Sequence, residues 1–183
     1  YNGTVYSDEG AAYVFEKPGS VWVSMTETAK LTASNPSSIS YFGDVVDING
    51  DLILVGGINS NGCMGGAYLF EKPAGGWVDM TEDHKFTTTT CTGEDGFGCS
   101  VAISDDHALV GAEDDKDHGT WSGKALVFDK PVSGWTDQTE DDVIFPDQGM
   151  HNTLDDFGYS VSMHGDYAVV GSKGYLADRG CAY

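Results

Sequence analysis

Between Phe97 and Ile103 the chain alternates in character. Phe97, Cys99, Val101 and Ile103 fall on one side, and the small residues Ser100 and Ala102 on the other. A period of two predicts a β-strand with two distinct faces. The next run, Ala108–Val110, is apolar at every position, as are Leu52–Val55 and Ala168–Val170. Such runs predict strands covered on both sides. Only a tight turn separates each pair of strands: Asn49-Gly50, Asp105-Asp106 and His164-Gly165. Asn-Gly is a strong hairpin signal, because a type I′ turn needs positive φ. A third strand is predicted over Ala67–Glu71 and ends at Lys72-Pro73, where the missing proline N–H costs nothing. A fourth is predicted to start near Trp77. No window sustains the 3.6-residue apolar period of a helix.

The same order of landmarks recurs along the chain. Ala12–Pro18 (AYVFEKP) returns as Ala67–Pro73 (AYLFEKP) and as Ala125–Pro131 (ALVFDKP), at spacings of 55 and 58 residues. Trp22, Trp77 and Trp135 follow the Lys-Pro turns, and Thr26-Glu27, Thr81-Glu82 and Thr139-Glu140 follow the tryptophans. Phe42-Gly43, Phe97-Gly98 and Phe157-Gly158 open the alternating strands, and Gly56-Gly57, Gly111-Ala112 and Gly171-Ser172 close the apolar runs. The chain is therefore expected to be one all-β repeat domain over residues 1–183, with repeat landmarks at 12–57, 67–112 and 125–172 and a fourth copy beginning at 180. Four antiparallel strands per repeat is the description of a β-propeller blade. The expectation is three four-stranded blades plus the start of a fourth. Three are too few to close a ring, so the chain is expected to be part of a longer propeller, or else to close or stack with other copies.

Phe97–Ala112 (FGCSVAISDDHALVGA) and Phe157–Ser172 (FGYSVSMHGDYAVVGS) resemble the FG-GAP repeat found in integrin α-chain propellers. The resemblance covers essentially the whole chain. It implies a propeller, usually of seven blades, and a role in adhesion or ligand binding. Two departures stand out. The final proline of the family motif is replaced by Ile58, Glu113 and Lys173. The family's Asp-x-Asp-x-Asp-Gly calcium loop is replaced by the tight turn between the first two strands, so that site does not carry over.

Charge narrows the partners. Nine Lys and Arg stand against 29 Asp and Glu, a formal net charge of −20. This argues against nucleic acid, whose phosphates need basic patches, and against anionic lipid. No apolar run approaches a membrane span, so insertion is not expected. Four cysteines without CxxC spacing fit an oxidising, extracellular or cell-surface setting. A local Cys91–Cys99 disulfide is expected; Cys63 and Cys181 have no assigned partner, and Cys63 also has Cys91 or Cys99 within its options. Asn2-Gly3-Thr4 is a glycosylation sequon, with a plain polar loop as the simpler reading.

Antiparallel order places the longer connections, near residues 57–65, 87–96, 112–123 and 172–180, at one end of the blades, together with all four cysteines. Binding surfaces commonly lie on such loops. Glu113, Asp114, Asp115 and Asp117 form the densest acidic cluster there. Calcium takes several oxygen ligands, but the other repeats lack an equivalent, and a solvated acidic loop is the simpler reading. The histidines have no recognisable nucleophile partner, and the adjacent pairs Asp105-Asp106, Asp141-Asp142 and Asp155-Asp156 point to opposite faces of any strand they occupy. The expected function is non-enzymatic: an extracellular module for adhesion, binding a protein or glycan, or a structural unit that assembles with copies of itself. No cofactor is required. The alternatives are a glycan hydrolase, which needs two facing carboxylates, and a calcium-dependent binding domain.

Overall fold

The computed structural model describes residues 10–35, 41–58, 65–90, 95–117, 119–145, 154–174 and 180–183, and these form strands, turns and bends without a helix. Two complete blades occupy the middle. The first contains β3 (Val45–Asn49), β4 (Leu52–Gly57), β5 (Gly66–Glu71) and β7 (His84–Thr87). The second contains β8 (Phe97–Ile103), β9 (His107–Ala112), β10 (Lys124–Asp129) and β12 (Asp142–Ile144). Partial blades flank them. At the start, β1 (Ala12–Val14) and β2 (Ala29–Thr32) supply third and fourth strands. At the end, β13 (Phe157–His164), β14 (Tyr167–Ser172) and the short β15 (Cys181–Ala182) supply a first, a second and the beginning of a third. Within each blade consecutive strands pair antiparallel.

Two expectations change in detail. The fourth strand does not begin near Trp77. The chain first crosses to the preceding blade, where β6 (Met80–Thr81) pairs in parallel with β2, and then returns as β7. The next repeat does the same through β11 (Gln138–Thr139), which pairs in parallel with β7. The cause is the tryptophan. Trp77 and Trp135 are buried against the preceding blade, which drags the following residues across. The hairpin turn also differs. Asn49 pairs with Leu52, so Gly50 and Asp51 form the turn. Gly50 alone has positive φ, which is type II′ rather than I′.

The repeated landmarks are the parts of the joint between blades. Phe42, Phe97 and Phe157 are buried. The glycine that follows brings two backbones together. Gly98 has φ +95°, and a Cβ there would lie 2.8 Å from the carbonyl oxygen of Gly66 in the preceding blade. The small pair serves the other side of the same joint: a Cβ on Gly111 would collide with the Gly158 carbonyl of the following blade. That carbonyl accepts a hydrogen bond from Ser100 Oγ at 2.7 Å. At the outer rim, Asp79 Oδ1 accepts the Lys30 N–H and Asp137 Oδ1 accepts the Lys85 N–H, each at 2.8 Å. Glu82 caps Ser34, and Glu140 caps Thr89. The Thr-Glu landmark is thus a clasp on the blade before it.

Between these contacts lie three apolar clusters, one per joint. The central one sets Leu54, Leu69 and Phe86 of the first blade against Val101, Phe128 and Trp135 of the second. Phe86 and Phe128 stack with ring centroids 4.9 Å apart.

Candidate functional site

The joints fix the ends of the strands, and the longer connections gather at one end, as the antiparallel order requires. Asp114 donates its N–H to the Asp95 carbonyl, and Leu154, Asp156 and Phe157 donate to Thr120, Trp121 and Ser122 at 2.9–3.1 Å. Described parts of three connections, Asp95, Asp114 with residues 120–122, and residues 154–156, thereby form one surface.

Its anchor is Lys124, at the start of β10. The side chain is fully buried. Its ammonium lies 2.6 Å from Asp115 Oδ2 and 2.8 Å from Asp117 Oδ2. It also donates to the carbonyl and hydroxyl oxygens of Thr90, both at 2.9 Å. One cation therefore ties the loop after β9 to the connection after β7. Burial pulls the lysine pKa down, but the hydrogen bonds that its ammonium donates to Asp115 and Asp117 outweigh it and the pKa stands above its ordinary value.

Beside this anchor, Lys173 Nζ lies 3.0 Å from Glu113 Oε2 and 3.6 Å from Asp156 Oδ2. It also sits 4.0 Å from the centroid of the Tyr159 ring, within the range of a cation–π contact. Trp121, Leu154 and Asp156 all have positive φ, at 56°, 76° and 49°. Non-glycine residues rarely adopt this region, and they hold it only where the surroundings over-determine it. Trp121, Leu154 and Tyr159 are exposed.

The sequence-predicted site residues are distributed as follows. Of the acidic cluster, Asp115 and Asp117 share Lys124, Glu113 faces Lys173, and Asp114 is joined to Asp95 through its backbone. Among the described residues no group of three or more His, Cys, Asp or Glu side chains is arranged to hold a metal ion. Cys99 carries a free thiol buried in the joint, 3.4 Å from the Gly158 carbonyl, and burial pushes its pKa up to about 12. Cys181 is free and exposed. Cys63, Cys91 and Asn2 lie outside the described residues, and with Cys99 free the structure does not show the expected Cys91–Cys99 bond. His84 pairs with Glu71 and His107 with Asp129; neither faces a nucleophile among the contacts described.

The sequence marks Lys173 only as a departure from the family motif, and it does not mark Trp121, Lys124 or Tyr159 as site residues. One signal was available for Trp121: of the four tryptophans it alone stands outside the repeat register.

The acid–base chemistry of this surface gives a stability prediction. Burial raises the Glu113 pKa above its ordinary 4.5, more than Lys173 lowers it. The folded protein therefore holds a proton that the unfolded chain releases, and stability falls as pH rises through that window. Self-repulsion at −20 acts in the same direction. Unfolding by urea is expected to show stability that declines as pH rises above the ordinary carboxylate value of 4.5. In Glu113→Gln the decline becomes shallower. An unchanged slope would assign the effect to net charge alone.

A family model described as FG-GAP repeat matches residues 25–70, 80–128 and 147–183. No curated protein matches the chain.

Proposed function

The chain belongs to the FG-GAP repeat family, and from that premise we propose that it is an extracellular, non-enzymatic binding module whose contact surface is the loop face around Trp121, Tyr159 and Lys173. The family indicates a β-propeller-type, protein-binding architecture, and it is typical of extracellular or surface proteins. Among the described residues no helix is long and apolar enough to cross a membrane.

The observation that carries the proposal is the concentration of positive-φ residues beside exposed aromatics. Trp121, Leu154 and Asp156 meet where Lys124 and the β13 hydrogen bonds hold the backbone fixed. Strained backbone gathers at binding sites, and exposed tryptophan and tyrosine are the residues that dominate binding energy at interfaces. A surface this acidic favours a partner with a basic patch, mainly through its rate of association. The flat faces of Trp121 and Tyr159 also suit a sugar ring, so a glycan on the partner is the second reading. A calcium-dependent version requires Asp115 and Asp117 to give up Lys124. A hydrolase requires two carboxylates facing across a cleft, whereas Glu113 and Asp156 both lie beside Lys173.

The test is binding to arrays of immobilised extracellular proteins and glycans. The chain, Trp121→Ser/Tyr159→Ser and Asn49→Ala are compared. Asn49 sits on the turns at the opposite end of the blades. The double variant is expected to lose the bound partners while Asn49→Ala keeps them. Equal binding by all three, or recovery of cleaved glycan, contradicts the proposal.

A further inference from the structure

Lys124 stands at a position that the fold does not require to be charged. Counted from the repeated Ala-Tyr and Ala-Leu pairs, Ala11, Gly66 and Cys181 hold the same place in the other repeats. Counted from the small pair, Ser60 and Tyr175 stand where Asp115 does. The lysine and its acid thus occur together in one repeat and have no counterpart in the others. Both side chains are withdrawn from water, at 1% and 0% exposure. Taking two charges out of water can cost more than their attraction returns, so stability alone does not account for the pair.

Four oxygens crowd the Lys124 nitrogen: Asp115 Oδ2 at 2.6 Å, Asp117 Oδ2 at 2.8 Å, and the carbonyl and hydroxyl of Thr90 at 2.9 Å. An ammonium has only three hydrogens to offer them. The nearest oxygen is one bond of about 1.2 Å from Asp115 Cγ, so Nζ stands within about 4 Å of that carbon, near the ~3–3.5 Å of atoms poised to react. The second carboxyl oxygen of Asp115, Oδ1, accepts the Asp117 N–H at 2.9 Å. The Asp115 backbone is fixed as well. Its carbonyl accepts the Gly123 N–H at 3.1 Å and the Ser122 hydroxyl at 3.2 Å. An amine, a carboxyl group, a second carboxylate and an N–H donor are therefore held in one dry place, with both ends of the loop already closed on each other.

We propose that Lys124 and Asp115 condense into an isopeptide bond, with Asp117 as the proton carrier. Asp117 Oδ2 takes a proton from the ammonium. The freed lone pair forms the Nζ–Cγ bond, and the negative charge that gathers on Asp115 Oδ1 meets the Asp117 N–H. The Cγ–Oδ2 bond then breaks. Of the three ammonium hydrogens, one stays on the amide and two leave with Oδ2 as water, one of them passed through Asp117. Nothing is oxidised or reduced, and no co-reactant enters. Burial raises the Asp115 pKa more than Lys124 lowers it, so the leaving oxygen holds a proton readily. The product removes one positive and one negative charge from the interior, and with them the penalty for keeping both out of water.

The ion pair is the arrangement from which the bond forms. Once formed, it closes residues 115–124 into a covalent ring that contains Trp121. The strained backbone of that loop is then held by a bond that neither a chelator nor a reductant opens. This inference goes beyond the binding role of the loop face and does not depend on it.

The experiment is mass spectrometry of the folded 183-residue chain, held at neutral pH and then fully reduced and unfolded. The intact chain is expected to weigh one water molecule less than its sequence. Trypsin then places the bond. Cleavage after Lys116 opens the ring, and the peptide that carries Asp115 is expected to stay attached to the peptide that carries Lys124. Asp117→Asn keeps both reacting groups and removes the proton carrier. Its fold is checked by circular dichroism, and it is expected to keep its full mass over the same period. A parent chain of full mass overturns the proposal. So does a loss of water in which the two peptides separate, because the dehydration then lies elsewhere. Conversion of Asp117→Asn as fast as the parent overturns the role given to Asp117.

Discussion

Lys124→Met is expected to lower the stability of the folded chain by about 3–5 kcal/mol, the usual cost of removing one partner from a buried ion pair. The size comes from what is left behind. Asp115 is fully buried and keeps a carboxylate beside an apolar side chain, and Asp117 loses the same ammonium. The two oxygens of Thr90 lose their donor as well. In urea unfolding this appears as an earlier midpoint with a similar slope. Adding Asp115→Leu removes the stranded charge, so the double variant is expected to recover a large part of the loss. If Lys124→Met costs less than about 1 kcal/mol, the ammonium is not the anchor of the loop face.

Phe128→Ala is expected to cost about 3–5 kcal/mol, the range for truncating a buried aromatic. Phe128 is fully buried, stacks on Phe86 and lies 6.2 Å from the Phe97 ring. It therefore touches both sides of the central joint. Phe15→Ala supplies the control. Phe15 holds the same place in its repeat but is exposed, so in dilute solution the change is expected to stay within about 0.5 kcal/mol. The contrast isolates burial between blades from the identity of the residue. Similar losses at the two positions would contradict the assignment of the aromatic landmarks to the joints.

The joints were legible in the sequence because they recur. A residue needed once per blade returns at a fixed interval, so Phe97-Gly98, Gly111-Ala112 and Trp77 stood out without any structure. The gathering of connections at one end also followed, from antiparallel order alone. What the sequence concealed was specific to one repeat. Lys124 reads as an ordinary charged residue until the fold brings Thr90, 34 residues earlier, against its ammonium. Lys173 and Glu113 lie 60 residues apart. The sequence offered Asp115 and Asp117 as part of a solvated acidic loop or, less simply, as calcium ligands; in the structure Asp115 is buried and both carboxylates lie against the Lys124 ammonium. The crossing of Met80–Thr81 to the preceding blade was hidden for another reason. A two-residue strand has no period, and only the burial of Trp77 forces the path.

The central claim is that rigid joints present a loop face already formed before any partner arrives. Amide hydrogen exchange of the free chain tests this most directly. The N–H groups of Gly123, Leu154, Asp156 and Phe157 donate to loop carbonyls at 2.9–3.1 Å. They are expected to exchange far more slowly than in the unfolded chain, approaching the protection of Val101 and Val110 in β8 and β9. Exchange at the unfolded rate in these four, with the strands protected, would mean that the loop face forms only on binding and would contradict the account.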